Sequence, residues 1–250
     1  MFSVASQAEN LYYRWIHRRT RVSIGGYNGV FLTPSAALHS RVVRFGGESV
    51  QLAEFLRELR AGDVVWDVGS LVGLYSLFAS KAVGSTGKVY AFEPEAEAAV
   101  ILRQNCRLNQ VGNVIILEAA LSDTDGDGEL FLGDQGEKAI HSLKPRDGIK
   151  KKGVHVTLHR GDTLIVRSEA EAPNAIKMDI EGAECLALEG LNETLVKPAC
   201  RFVLLELHHH ALARFGSRSE DVVSFMLQAG FEIRRKMERG TESHLFFHKR

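Results

Sequence analysis

The amino-acid sequence predicts an α/β fold: a Rossmann-like, doubly wound, mostly parallel sheet of seven strands with an antiparallel last strand, preceded by an N-terminal cap. Three observations predict it. The apolar run from Val64 to Val68 contains Asp67, is followed by Gly69 and Gly73, and leads into a helical pattern from Leu74 to Ala82. A second apolar run, Val89 to Phe92, ends at a lone carboxylate, Glu93. A later run, Ala175 to Met178, ends at Asp179. Strand, tight turn, helix and strand make the unit of a parallel sheet, and its crossovers are right-handed. Such sheets bind ligands at the carboxyl ends of their strands, where the strand order reverses. In this layout the strand at 175 lies beside the strand at 64, so Asp67 and Asp179 flank one crevice.

The elements follow in order. Residues 1–47 form the cap, with Gly25-Gly26-Tyr27-Asn28-Gly29 as a turn between short strands. Leu11, Tyr12, Trp15 and Ile16 share a helical face beside Arg14, Arg18 and Arg19. Packing of that face is preferred over weak peripheral membrane contact by residues 11–19. The region 48–250 is the main domain. Leu52, Phe55, Leu56 and Leu59 recur at helical spacing between Ser49 and Arg60, and Gly62-Asp63 stops that helix. Pro94 is expected at the first helical position of a helix that runs to Leu108, with Ala98, Ile101, Leu102 and Cys106 near one face. Val114 to Leu121 is the third strand. Residues 124–165 are read as an insertion that shapes the acceptor pocket, with short strands at 130–132 and 154–158 around a basic stretch, Lys144 to Lys152. Asp123, Asp125 and Asp127 resemble the start of a calcium loop, but the glycine is out of register and no second helix pattern follows. Phe202 to Leu207 is the fifth strand, and Phe231–Arg234 with Leu245–His248 is a closing hairpin.

Composition excludes several classes. The 31 basic and 31 acidic residues cancel, which argues against a nucleic-acid surface. No apolar run reaches the roughly 18 residues of a membrane span, and the first 21 residues lack the apolar core of a signal peptide. The 3 cysteines, Cys106, Cys185 and Cys200, have no metal-type spacing and cannot all pair, so a reducing, cytoplasmic setting is expected. A homo-oligomer is compatible with all of this.

The glycine turn narrows the ligand. Dinucleotide binding needs G-x-G-x-x-G, whereas Gly69 and Gly73 flank Ser70, Leu71 and Val72 and lack the middle glycine. Asp67 would repel a phosphate and suits an ammonium group. Glu93, about 20 residues on, is placed to hold a ribose diol. S-adenosylmethionine carries an ammonium and a ribose diol and no phosphate, so it is the expected cofactor. A plain α/β turn with a capping Asp is the alternative reading of the turn alone.

At these residues the chain resembles the FkbM-type family of class I S-adenosylmethionine-dependent methyltransferases. The blocks are Gly62 to Gly69, Phe92-Glu93-Pro94, Asn105 and Asn109 with Asn113-Val114, Ala120-Leu121-Ser122-Asp123, Lys177 to Glu184, and Leu205-Glu206-Leu207-His208. They span Glu48 to His210; the first 47 residues match nothing in the family pattern. The resemblance implies that Gly69, Ser70 and Gly73 carry the backbone past the methionine part, with Asp67 towards its ammonium. It implies that Glu93, next to Pro94, accepts the ribose hydroxyls and that Ser122 and Asp123 lie at the adenine edge. Ser70-Leu71 departs from the Ala-Asn or small residues usual in such turns, so either backbone amides suffice or cofactor affinity is weaker.

The candidate catalytic residues are Asp179, Glu206 and His208. Asp179 ends a core strand beside the crevice and is placed to act as general base on a substrate hydroxyl. Glu206 and His208 share a face because strand side chains alternate, and with Asp179 they form a substrate-orienting trio in preference to a metal site. Glu184 is read as an acid favoured by a helix N-terminus. His209 and His210 are assigned to a loop, and His141 and His159 are placed near the acceptor pocket. The expected activity is O-methyl transfer to a hydroxyl of a small molecule or glycan. The alternatives are a non-catalytic S-adenosylmethionine-binding interaction module and a methyltransferase acting on a non-hydroxyl acceptor. A nicotinamide oxidoreductase is disfavoured by the missing glycine.

Overall fold

A computed structural model of the chain describes residues 19–44, 47–132, 142–145 and 153–250. The expected helix over 11–19 lies outside these residues except for Arg19, and His141 lies outside them as well. The described chain starts with an antiparallel hairpin, β1 (Arg19–Ile24) and β2 (Tyr27–Leu32), which turns at Gly25 and Gly26. Helix α1 (Ala36–Val43) follows, with the Ser35 hydroxyl accepting from Leu38 N at 3.3 Å to cap it. Then come α2 (Ser49–Glu58), β3 (Val64–Val68), α3 (Leu74–Val83), β4 (Lys88–Phe92), α4 (Ala96–Leu108) and β5 (Val114–Leu117). Next are β6 (Ala119–Leu121), β7 (Gly126–Leu130), β8 (Val154–His159), α5 (Gly161–Val166) and β9 (Ala175–Met178). The chain closes with α6 (Glu184–Glu189), α7 (Asn192–Leu195), β10 (Phe202–His208), α8 (His209–Arg214), α9 (Ser219–Gln228), β11 (Phe231–Arg239) and β12 (Glu242–Lys249).

The main sheet has seven strands in the order β11-β12-β10-β9-β3-β4-β5. The last strand, β12, runs antiparallel to both neighbours, and β10, β9, β3, β4 and β5 pair in parallel. The switch in strand order falls between β3 and β9, so Asp67 and Asp179 end neighbouring strands, as the sequence predicts. The central strands are apolar on both faces because helices cover both. One side buries Trp66, Phe92, Met178, Leu205 and Phe247; the other buries Phe55, Val65, Phe78, Phe202 and Phe246.

Two expectations are corrected. The run from Val114 to Leu121 is two strands, broken at Glu118, which turns outward to pair with Arg103. Beyond the break β6 leaves the main sheet and pairs in parallel with β8, in a three-stranded sheet ordered β6-β8-β7. Pro94 also does not open a helix. Glu95 caps α4 through its carboxylate, which accepts from Glu97 N at 2.9 Å, and the helix starts two residues after the proline.

The N-terminal hairpin is fastened to the sheet layer by two amides of α4. Asn109 Oδ1 accepts from Val30 N at 2.8 Å, and Asn105 Oδ1 accepts from Leu32 N at 2.7 Å. Asn105 Nδ2 also donates to Val72 O at 2.8 Å, so one buried side chain ties the cap to the glycine turn. Within the cap, Thr20 Oγ1 meets Thr33 Oγ1 at 3.0 Å and His39 Nδ1 at 2.9 Å.

Candidate functional site

A solvent-open cleft lies at the carboxyl ends of β3, β4 and β9, where parallel sheets bind their ligands. Its wall takes Val68, Gly69 and Leu71 from the turn after β3, Glu93 and Pro94 after β4, and Ala119 to Leu121 from β6. Asp179, Ile180 and Glu181 close it from the end of β9, and Arg41 reaches in from α1.

The glycine turn is shaped by contact. Gly69 has φ +80°, and a Cβ there would stand 2.0 Å from Asp179 O, so only glycine lets the β3 and β9 ends approach. Gly69 N and Ser70 N both donate to Phe92 O, at 3.1 and 3.0 Å, and the Ser70 hydroxyl donates to the same oxygen at 3.2 Å. Ser70 therefore holds the turn and does not line the cleft. Gly73 packs on Leu102 behind the turn. Leu71 and Glu181, both on the wall, adopt φ of 48° and 55°. Left-handed backbone in such residues costs energy and tends to gather at functional sites.

Glu93 is buried and spans the turn. Its Oε2 accepts from Leu71 N at 2.6 Å and its Oε1 from Glu95 N at 2.9 Å. Burial pushes its carboxyl up to about 7, although the two amides pull it back.

Asp67 corrects an expectation. It is 1% exposed and stands behind Gly69, away from the cleft wall. Its Oδ2 accepts from Ser76 Oγ at 2.5 Å and its Oδ1 lies 3.6 Å from Lys177 Nζ. Burial raises its pKa, with Lys177 and Ser76 opposing. Its Oδ1 makes no hydrogen bond among the described residues. Ser122 and Asp123 also sit off the wall: Ser122 Oγ donates to Asp123 Oδ1 at 3.0 Å, and the β6 residues before them face the cleft instead.

Asp179 is the meeting point of charges. Arg41 Nη2 lies 3.5 Å and Lys177 Nζ 3.6 Å from Oδ2, and His208 Nε2 lies 3.6 Å from Oδ1. Burial works against its ionisation, but Lys177, His208 and Arg41 together hold it down to about 2. His208 stands behind it. Burial opposes its protonation, yet the 3.1 Å bond between Nδ1 and Glu184 Oε1, with the charges of Asp179 and Glu181, lifts it to about 10. Glu206, on the same face of β10, completes the expected trio, since one ligand atom from each of Asp179, Glu206 and His208 lies within 4.8 Å of the others; it also faces Arg239 at 3.6 Å and His244 at 3.3 Å. Burial, then the charge of Asp179, pushes Glu206 up to about 7.

Five residues of this network escaped the sequence reading. Lys177 lies in the middle of apolar β9, donates to Gly69 O at 3.1 Å, and sits 5.0 Å over the Tyr75 ring. A lone lysine in an apolar core strand was the available signal. Glu184 is fully buried and orients His208, beyond its helix-terminus role. Arg41, Glu48 and His244 carried no local signal, because their partners are distant in sequence. His159 faces Asp125 at 3.4 Å, away from the cleft, and His209 opens α8 with its ring between Ser219 and Ser243.

The sequence profile of the Methyltransferase FkbM domain matches residues 67–233. The chain is 29% identical over 185 residues to the hexuronic acid methyltransferase AglP of Haloferax volcanii, covering 74% of this chain and 72% of that protein. It is 29% identical over 218 residues to the 31-O-demethyl-FK506 methyltransferase FkbM of Streptomyces tacrolimicus, covering 75% and 80%. The precorrin-6y C5,15-methyltransferase of Geobacter metallireducens superposes with a TM-score of 0.52 over 81% of this chain and 89% of that one, at 13% identity, a likeness of fold alone.

Proposed function

Because the chain belongs to the FkbM family of S-adenosylmethionine-dependent methyltransferases, we propose that it moves the methyl group of that cofactor to a hydroxyl oxygen of a small molecule or glycan. The observation that carries this reading is Asp179, an anion on the cleft wall that also bears Gly69 and Glu93. Glu93 would hold the ribose diol, with Pro94 beside it and Ala119 to Leu121 against the adenine, Ser122 and Asp123 shaping that edge from behind. Gly69, Ser70 and Gly73 would carry the backbone past the methionine part, with Asp67 adding its negative charge from below the turn.

In the reaction a lone pair on the acceptor oxygen forms the new C–O bond while the C–S bond breaks and S-adenosylhomocysteine departs. The hydroxyl proton passes to Asp179. A carboxylate held near 2 is a weak base towards a free alcohol. It suffices here because an oxygen already bonding to carbon is far more acidic than the alcohol it came from. Much of the rate then comes from alignment, with His208 holding Asp179 in place and Glu206 orienting the acceptor. The relative named for 31-O-demethyl-FK506 supports an oxygen acceptor.

A second reading is favoured by Arg41, which adds a guanidinium to the wall. Guanidinium groups match carboxylates, and the relative named for hexuronic acid acts on a sugar that carries one. The nucleophile would then be a carboxylate oxygen, which needs no base. The experiment is a screen with methyl-labelled S-adenosylmethionine over hydroxylated neutral sugars, uronic acids and polyketide alcohols. A product stable to mild base is an ether and supports the first reading; a base-labile product is an ester and supports the second. Absence of transfer to any oxygen acceptor while a nitrogen or carbon acceptor is methylated would overturn both. Among the described residues no helix is long and apolar enough to cross a membrane. The three cysteines are buried and free, which supports a reducing, cytoplasmic setting, and zero formal charge supports an acceptor other than nucleic acid.

A further inference from the structure

Behind Asp179, away from the cleft, a second group of side chains converges. Glu48 at the start of α2, Glu206 on β10 and His244 on β12 are 5%, 5% and 1% exposed. One ligand atom from each lies within 4.8 Å of the others. The two carboxylates divide their oxygens. Each Oε1 faces Arg239 Nη1, at 3.5 Å from Glu48 and 3.6 Å from Glu206. Each Oε2 faces His244 Nε2, at 3.9 and 3.3 Å. The Tyr75 hydroxyl donates to Glu48 Oε2 at 3.2 Å.

His244 is the anomaly. It is buried, it points at two carboxylates, and neither ring nitrogen makes a hydrogen bond among the described residues. Buried polar groups are normally satisfied, and here two buried carboxylates share one arginine and one imidazole. A proton on Nε2 would serve one oxygen at a time. A divalent ion would accept donation from Nε2 and both Oε2 atoms together. Arg239 and Tyr75 already stand where outer partners of such ligands belong.

We propose that Glu48, Glu206 and His244 bind a divalent transition-metal ion, Zn²⁺ or Mn²⁺, as a structural clamp. Two oxygens and one imidazole suit ions between the hard, all-oxygen class and the thiolate-loving class. All three side chains are buried, as ligands of structural sites are. The clamp joins segments far apart in sequence and fixes the start of α2, and so the end of the segment from which Arg41 reaches the cleft. Glu48 and His244 both lie outside the residues 67–233 matched by the family profile. The clamp stands independently of the acceptor.

The test uses the full chain, stripped with EDTA and titrated calorimetrically with Zn²⁺ and, separately, Mn²⁺, with thermal melts alongside. The expected result is one saturable site and a raised melting temperature. In Glu48→Gln and His244→Gln binding should weaken by more than the roughly 10–100-fold typical of losing an outer partner, and the melting shift should vanish. No saturable binding by the stripped protein overturns the proposal. Equal binding by Glu48→Gln also overturns it, because surface histidines would then be the ligands. Should both variants fail to fold, pulsed EPR of the Mn²⁺-loaded natural sequence decides: nitrogen coupling from a bound imidazole supports the site, and its absence refutes it.

Discussion

Glu93 links cofactor binding to pH. With its carboxyl near 7, it is increasingly protonated below that value and then accepts fewer hydrogen bonds. Affinity for S-adenosylhomocysteine should therefore weaken as pH falls from 8 to 6, approaching about tenfold per unit on the acid side, the limit for one proton. Glu93→Gln should cost about 1–3 kcal/mol of affinity at pH 8 and flatten that dependence; calorimetry at several pH values checks both. Lys177 carries a different risk. It stands 3.6 Å from both Asp67 and Asp179, so Lys177→Met leaves two buried carboxylates facing one another. The loss should be about 3–5 kcal/mol, read as a lower denaturant midpoint. Two of the carboxylates on the cleft wall, Glu93 and Asp179, were legible in sequence because each ends an apolar run. Glu48 and His244 were not, since only folding brings residues 48, 206 and 244 together.

At the scale of elements, short apolar runs with clear stops read well. Ala175–Met178 is found where the sequence placed it, and the predicted helix from Leu74 to Ala82 ends one residue later. What periodicity could not tell was which sheet a strand joins. Ala119–Leu121 continues the apolar pattern of Val114–Leu117 yet pairs with β8. β7 was missed in part because Gly126, Asp127 and Gly128 have low strand propensity; pairing with β8 overrides it. The cap depends on Asn105, which is fully buried and bonds both Leu32 N and Val72 O. Asn105→Ala should orphan both groups and cost about 1–3 kcal/mol for each. Hydrogen exchange should show faster amides in β2 and around the turn at Val72, with β9 and β10 unchanged. Equal acceleration across the sheet would mean that the cap and sheet open together.

At the scale of the molecule, the charge network sets the pH range of the fold. His208 and His244 are raised to about 10 and 9, so the stability they add is complete below 6.5 and is lost as pH rises through those values. Asp179 is lowered to about 2, so its contribution is present above 3.8 and is lost as pH falls towards 2. Glu93 and Glu206, raised to about 7, favour the folded state below 4.5 and lose that advantage as pH rises to 7. Above neutrality the two histidines act with one sign, against a smaller opposing effect from Lys249, whose pKa is pushed down by burial. The metal-free protein should melt several degrees higher at pH 6 than at pH 9.5, at roughly 2–4 °C per kcal/mol for a chain of this size. Scanning calorimetry across that range checks it, and a flat profile would show that the two histidines are neutral in the fold.

The chemistry rests on Asp179, and one paired measurement tests it. Single-turnover transfer of labelled methyl from S-adenosylmethionine to a hydroxylated acceptor is followed in the natural sequence and in Asp179→Asn. S-adenosylhomocysteine affinity is measured on the same folded preparations. The predicted result is transfer slowed by about 100-fold, the usual effect of a positioned acid or base, with cofactor affinity little changed because Glu93 and the glycine turn hold it. Normal transfer in Asp179→Asn, or loss of cofactor binding, would contradict the assignment of Asp179 to the acceptor hydroxyl.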